Sequence, residues 1–253
     1  MSSILITGAS KGVGRATAAE LAKRGHRVVA TARDPRTLDG LDVDQRLRLD
    51  VTDQASVDAA IDQAGEIDTL VSNAGVIFAA AVEASPLSEI ERLYSQNTVG
   101  AIRVVQALLP QMRQRGKGRL VFVSSMGGRI VLPGNSAYAA SKWALEAFGE
   151  TLAIELSGLG IDVTLAEPGP ISSGALDNVT IYSLPGVSDD PYAALVGGSI
   201  PPEMMSTPEQ AAAALAELVE ADTVPLRVPV GPVAQHVLAA RDAAPYDQPF
   251  LPA

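Results

Sequence analysis

Ser3-Ile4-Leu5-Ile6-Thr7-Gly8-Ala9-Ser10-Lys11-Gly12-Val13-Gly14 starts as an apolar run and stops on a glycine-rich turn. Ser3 to Thr7 reads as a buried strand, and Gly8 to Gly14 opens an Ala-rich helix running to about Arg24. Strand, turn and helix in that order suit a pyrophosphate. Such a group needs backbone N–H donors at a helix N-terminus and no Cβ in the way, which Gly8, Gly12 and Gly14 provide. The spacing is G-x-x-x-G-x-G rather than G-x-G-x-x-G, a different form of nucleotide loop. An ordinary glycine turn is the bland alternative, and the position directly after the first strand favours nucleotide binding.

Outward from this unit the alternation continues. His26 to Thr31 is a second strand, and the corner beyond it should face an adenosine ribose. That corner has no acidic residue for a 2′-hydroxyl. Arg33, with Lys11 in the glycine loop, instead supplies two cations suited to a 2′-phosphate, against the reading that both are simply solvated. Leu47 to Val51 is a third strand, with Asp50 placed to reach an adenine, and Thr52-Asp53 caps a helix to about Ala64. Thr69 to Ser72 is a fourth, followed by Asn73-Ala74-Gly75, small enough for close backbone approach. Pro86 to Arg115 reads as largely helical. Asn97 sits in its apolar middle, where an asparagine is unfavourable unless a network holds it. Leu120 to Val123, Asp162 to Glu167 and Arg227 to Val230 are further strands; Ala137 to about Leu159 and Pro208 to Glu220 are helices. Ile171 to Pro208, rich in Gly, Pro and Ser, is expected to form a substrate lid. The whole pattern predicts a single α/β domain over residues 1–253. Its core is a Rossmann-like, doubly wound parallel sheet of about seven strands with helices on both faces and its ligand at the strand carboxyl ends.

The chemistry falls between Gly118 and Leu145, GRLVFVSSMGGRIVLPGNSAYAASKWAL. Tyr138 and Lys142 are four apart, so a helix starting near Ser136 puts both on one face. A phenol of pKa about 10 is a poor base near neutrality. A unit charge at about 4 Å in an effective dielectric of about 20 is worth roughly 4 kcal/mol, or two to three pK units, enough to favour the phenolate. The bland reading is two neighbours on a solvated face.

Composition narrows the partners. Of 253 residues 47% are hydrophobic, and 19 Lys+Arg against 29 Asp+Glu give a net charge of −10. That sign argues against nucleic acid and anionic membranes. The absence of cysteine excludes disulfides, thiolate metal sites and a cysteine nucleophile, and no metal is expected. Met1 runs straight into Ile4-Leu5-Ile6 without a basic segment, so the expectation is a soluble, unprocessed, cytoplasmic protein.

In motif content and order the chain resembles the short-chain dehydrogenase/reductase family, in its compact single-domain branch. Thr7 to Gly14 matches T-G-x-x-x-G-x-G, Asp68 to Gly75 reads D-T-L-V-S-N-A-G, and Asn97 has Gly100 three further on. Ser125 precedes Tyr138-x-x-x-Lys142 by thirteen positions, and Pro168-Gly169 follows. The resemblance implies a catalytic tetrad of Asn97, Ser125, Tyr138 and Lys142, the spacing choosing Ser125 over Ser124. Residue reading and resemblance together put cofactor contacts at Gly8, Ser10, Lys11, Gly12, Val13, Gly14, Arg33, Asp50, Val51, Asn73, Ala74, Gly75, Tyr138, Lys142, Pro168, Gly169, Ile171 and Ser173. Ser72 departs from the family's first Asn, and Ser173 stands where the family often has Thr.

The expected function is an oxidoreductase interconverting a secondary alcohol and a ketone or aldehyde, with NADP(H) preferred and NAD(H) possible. A non-catalytic dinucleotide-sensing or scaffold protein of the same fold is the alternative. Family resemblance implies a homodimer or homotetramer through the long helices, with Trp143 and Phe148 either as interface anchors or as core. The expected substrate is hydrophobic. Its walls would be Phe78, Ile130, Val131 and Leu132, with Leu176, Tyr182, Leu184 and Tyr192 from the lid; Arg129, Asp177, Asp189 and Asp190 are the nearby charges.

Overall fold

The computed structural model describes residues 1–173, 179–196 and 200–250. In chain order the first half holds β1 (Ser3–Ile6), α1 (Gly12–Lys23), β2 (Arg27–Ala32), β3 (Gln45–Arg48), α2 (Gln54–Ala64) and β4 (Thr69–Ser72). It continues with β5 (Phe78–Ala80), α3 (Leu87–Tyr94), a π turn (Ser95–Val99), α4 (Gly100–Arg115) and β6 (Gly118–Val123). The second half holds α5 (Ser136–Glu155), β7 (Ile161–Pro168), β8 (Thr180–Tyr182), α6 (Ala193–Val196), α7 (Pro208–Glu220), β9 (Arg227–Val230) and α8 (Pro232–Ala243).

Seven strands form one parallel sheet in the order β3-β2-β1-β4-β6-β7-β9. Alternating side chains along each strand feed two separate cores. Leu5, Leu70, Leu120 and Phe122 face one side, with Val104, Leu108 and Leu145 from α4 and α5. Ile4, Ile6, Val71 and Val121 face the other, with Leu21 and Leu215 from α1 and α7. Burial on both faces is why these strands are nearly continuous apolar runs. The strand order reverses between β1 and β4, which opens a crevice at their carboxyl ends.

Three elements differ from the sequence expectation. The third strand ends at Arg48, before Asp50 rather than beyond it. The Asp50 N–H donates to Ser56 Oγ at 3.0 Å while Asp50 Oδ1 accepts from Thr52 N and Oγ1, so a local turn takes the backbone out of the ladder. Helix α5 stops at Glu155, short of Leu159. The stretch after Ile171 is not wholly irregular: β8 pairs in parallel with β5, Phe78 opposite Thr180 and Ala80 opposite Tyr182. Leu176 and Asp177 lie outside the described residues. Trp143 and Phe148 are not core residues; each is 43% exposed on the outer side of α5. Among the described residues no helix is long and apolar enough to cross a membrane.

A single hydroxyl joins the two sides of the crevice. Thr7 Oγ1, fully buried, accepts from both Asn73 N and Ala74 N at 3.0 Å, and Asn73 Nδ2 donates back to Thr7 O at 2.9 Å. Thr7→Val keeps the shape and leaves two half-buried donors unmatched. It is expected to lower unfolding stability by about 2 kcal/mol in urea titration, whereas Thr7→Ser loses less than half of that; equal losses in both variants would show that packing, not the hydroxyl, secures this joint.

Candidate active site

Ser125 leaves β6 in extended conformation, and its Oγ accepts from Gly127 N at 3.0 Å, which turns the chain into a short 3-10 segment. Tyr138 and Lys142 occupy the first two turns of α5 and face the same crevice as Ser125. Burial pushes the Tyr138 phenol above its ordinary value, with the Ser125 hydroxyl pulling the other way. Lys142, 5% exposed, has its ammonium pushed down to about 8 by burial, against the charge of Glu146.

The Tyr138–Lys142 geometry differs from the close contact expected of the spacing. Lys142 Nζ lies 5.8 Å from the centre of the Tyr138 ring and donates to Val123 O at 2.8 Å. The i, i+4 relation places both residues on one face; the long lysine chain is then drawn to the end of β6 by a carbonyl that would otherwise be buried without a donor.

Asn97 lies in the π turn and is 1% exposed. Its Oδ1 accepts from Val76 N at 2.8 Å, and its Nδ2 donates to Val76 O at 2.9 Å and Ser141 Oγ at 3.1 Å. Every one of its hydrogen-bonding groups is engaged, which resolves the cost of an asparagine inside a helix. A π turn at such a place is common next to functional sites, because it re-aims one residue without ending the helix.

The other end of the crevice is a cradle of backbone. Gly8 has φ +70°, and a Cβ there would stand 2.8 Å from Ala74 Cα; a Cβ on Gly14 would strike Asn73 Nδ2 and the Gly8 carbonyl. The Asn73 side chain holds this turn together, its Nδ2 donating to the carbonyls of Thr7 and Gly8. Lys11 and Arg33 are exposed along the crevice, and among the described residues neither side chain makes a hydrogen bond or ion pair. Asp50 is committed to Thr52, and its carboxyl sits below the usual range: burial pushes it up, but the Thr52 hydrogen bonds and the Arg33 and Arg48 charges outweigh that.

The crevice encloses about 570 Å³. Each residue expected for catalysis or cofactor contact lines it except Asn97, which stands behind Gly75 and Val76. This is a polar cradle at one end, a tyrosine and a serine at the other, and a buried ammonium between. The short chain dehydrogenase family pattern matches residues 2–181. The chain belongs to that family.

Two solved members of the family share the fold of this short-chain dehydrogenase closely. One, from Streptomyces avermitilis, has a TM-score of 0.80 and 34% identity over 96% of this chain and 95% of its own. Another, from Burkholderia cenocepacia in complex with NADP, has a TM-score of 0.80 and 26% identity over 96% and 93%. A 3-ketodihydrosphingosine reductase from Bacteroides thetaiotaomicron is 35% identical over 93% of this chain and 90% of its length. This dehydrogenase is accordingly an NAD(P)-dependent oxidoreductase of CH–OH and C=O groups.

The expected substrate wall is corrected by the packing. Phe78 is buried edge-on against Tyr182, with ring centres 5.6 Å apart, and Ile130 packs on Val237 and Leu238 of α8. Val131 is exposed at a separate apolar groove beside Trp143; of that set only Leu132 lines the crevice. From the lid, Asp190 caps Leu184 N and Tyr192 N, and Tyr192 donates to Glu83 at 2.7 Å. Arg129 turns away to Glu167 and Asp242. Besides Leu132, the crevice is lined by Ile77, Met126 and Ile200 and by the polar Arg92, Gln96, Asn135 and Thr180. Arg92 and Gln96 were findable in the sequence as an i, i+4 pair directly before Asn97.

Burying Lys142 has a measurable cost. A base whose folded value is lowered from 10.5 to about 8 destabilises the fold at neutral pH, and the penalty disappears as pH rises from about 8 toward 10.5, where the folded protein sheds its proton first. Lys142→Met is therefore expected to be more stable than wild type at pH 7, by about 2 kcal/mol, with the gain shrinking above pH 8. Chemical denaturation at a series of pH values checks this; a constant difference across that range contradicts it.

Proposed function

We propose that this enzyme is an NADP-preferring reductase and dehydrogenase that interconverts an alcohol and the corresponding ketone or aldehyde, of largely apolar character. The observation that carries the reading is the convergence of Ser125, Tyr138 and Lys142 on one crevice with the Gly8–Gly14 cradle and its two uncommitted cations. The cradle fits a dinucleotide: its glycines leave room for the pyrophosphate, and Arg33 and Lys11 suit a 2′-phosphate. NADP(H), when bound, supplies the hydride chemistry.

The protein's own residues handle the proton and the oxygen. Ser125 donates a hydrogen bond to the substrate oxygen, and Tyr138 gives it a proton in reduction or takes one in oxidation. Lys142 brings a positive charge to within 5.8 Å of the centre of the Tyr138 ring, and its remaining N–H groups are available to a ribose. Asn97 holds the Val76 backbone that forms the floor beside it. The similar Burkholderia protein was solved with NADP, and the Bacteroides relative is named for reduction of a keto group, both in keeping with this assignment. Arg92 does not make the pocket cationic, because Glu89 is bonded to its Nε and Nη2 at 3.0 and 2.7 Å. A neutral substrate body leaves no charge unmatched on burial.

Two measurements follow. In NADPH-absorbance assays over a panel of ketones, aldehydes and secondary alcohols, Tyr138→Phe should lower kcat by about a hundredfold or more while dinucleotide affinity stays within about threefold; undiminished turnover removes Tyr138 from the mechanism. Arg33→Asp exchanges a phosphate partner for a hydroxyl acceptor, and should move the NADP/NAD ratio of kcat/KM toward NAD by about ten- to a hundredfold. A wild type that already prefers NAD overturns the assignment of this corner.

A further inference from the structure

Behind the catalytic candidates lies a buried cluster that the mechanism above does not use. Glu146, 4% exposed, stands one helical turn after Lys142 on α5, and Glu167, fully buried, sits on β7 directly before Pro168. Arg227 of β9 reaches both: its Nε is 2.9 Å from Glu146 Oε2 and 3.9 Å from Glu167 Oε1, while its Nη2 turns outward to Glu150 at 2.6 Å. Arg129, on the loop after β6, places Nη1 3.6 Å from Glu167 Oε2 and pairs with Asp242 of α8. Neither oxygen of Glu167 has a hydrogen-bond partner among the described residues. Ser124 completes the surround; a Cβ on Gly128 would meet both its Oγ, at 3.0 Å, and Glu146 Cγ, at 2.8 Å.

The charges facing this pair from every packed element do not balance if all are ionised. Lys142, Arg129 and Arg227 are three cations, against four carboxyls at Glu146, Glu150, Glu167 and Asp242. One proton makes the cluster neutral, and Glu150 and Asp242 are the solvent-exposed members that have no need of it. A buried carboxylate without hydrogen bonds is the costliest of the four to ionise. We propose that Glu146 and Glu167 are positioning residues that hold one proton between them, and that the single negative charge left on the pair keeps Lys142 an ammonium near neutrality. This rests on the reading of Lys142 given above.

The division of roles follows from the contacts. Glu146 has Arg227 at hydrogen-bond distance and is the anionic partner; Glu167, without such a bond, carries the proton. Burial, then the Glu146 charge, pushes Glu167 up to about 7, against Arg129 and Arg227. On Lys142 the Glu146 charge acts in the opposite sense to burial, favouring the protonated form. Removing that charge makes any neighbouring group lose its proton more readily, whichever of Tyr138 and Lys142 yields it.

Glu146→Gln keeps the shape and removes the charge. The alkaline limb of kcat/KM for carbonyl reduction should move down by about one pH unit, with Glu146→Asp restoring it toward wild type; a limb that stays put in Glu146→Gln overturns the proposal. The second measurement needs no substrate. In wild-type protein labelled with 13C at glutamate carboxyls, one resonance should titrate near 7, far above the ordinary value of about 4.3, and vanish in Glu167→Gln. If all glutamates titrate below about 5.5, no shared proton exists, even where Glu146→Gln fails to fold. An enzyme that turned over no carbonyl would undo the reading of Tyr138 and Lys142 while this titration still decided the pair.

Discussion

Holding the Lys142 ammonium at the dry carboxyl edge of the sheet is an expense that several other elements exist to meet. Water would solvate that charge at no structural cost; the protein must replace it with fixed groups. One replacement is the Val123 carbonyl, exposed to the lysine because β6 ends there. Another is the negative charge a turn along α5. The sheet contributes by placing β6 and β7 side by side, Val123 opposite Ala166, so that the end of one strand lies beside Glu167 of the next. Stability is given up locally in the crevice, a recurring exchange at active sites.

How much of this was visible in the sequence depends on the range of the interaction. The glycine cradle, the strands and the i, i+4 pair of Tyr138 and Lys142 are local, written within a dozen residues and governed by backbone sterics and period. They could be read directly, and the crevice gathers the residues so named. The boundary of β3 could not, because it is decided by side-chain hydrogen bonds at Asp50 and Ser56 rather than by apolar content, which continues to Leu49 and Val51 in the core.

Long-range facts were the illegible ones. Nothing local says that Ile130 belongs to α8, or that Phe78 turns edge-on to Tyr182 a hundred residues later; each is apolar and follows the end of a sheet strand, and both are spent on secondary cores. The lysine's contact with Val123 is likewise invisible in a spacing, since the spacing fixes a helix face and not the direction of a flexible side chain. Glu146 and Glu167 pass for ordinary surface acids until Arg227, from the last strand, is brought between them.

From Leu87 to Arg115 the helix is unbroken, yet the π turn at Ser95–Val99 divides it into two rigid rods with an angular offset between them. Without the extra residue the downstream rod would be rotated by about 100° relative to the upstream one. The offset decouples the two functions on this helix. The upstream rod, bearing Arg92, can exchange side chains that line the crevice, while Asn97 in the turn keeps its orientation on Val76, with Thr98 bonding to Ser141 O at 2.8 Å and Gly100 packing on Val51 directly after it. Change in the crevice lining and constancy of the Asn97 contacts are thereby compatible within one wide turn.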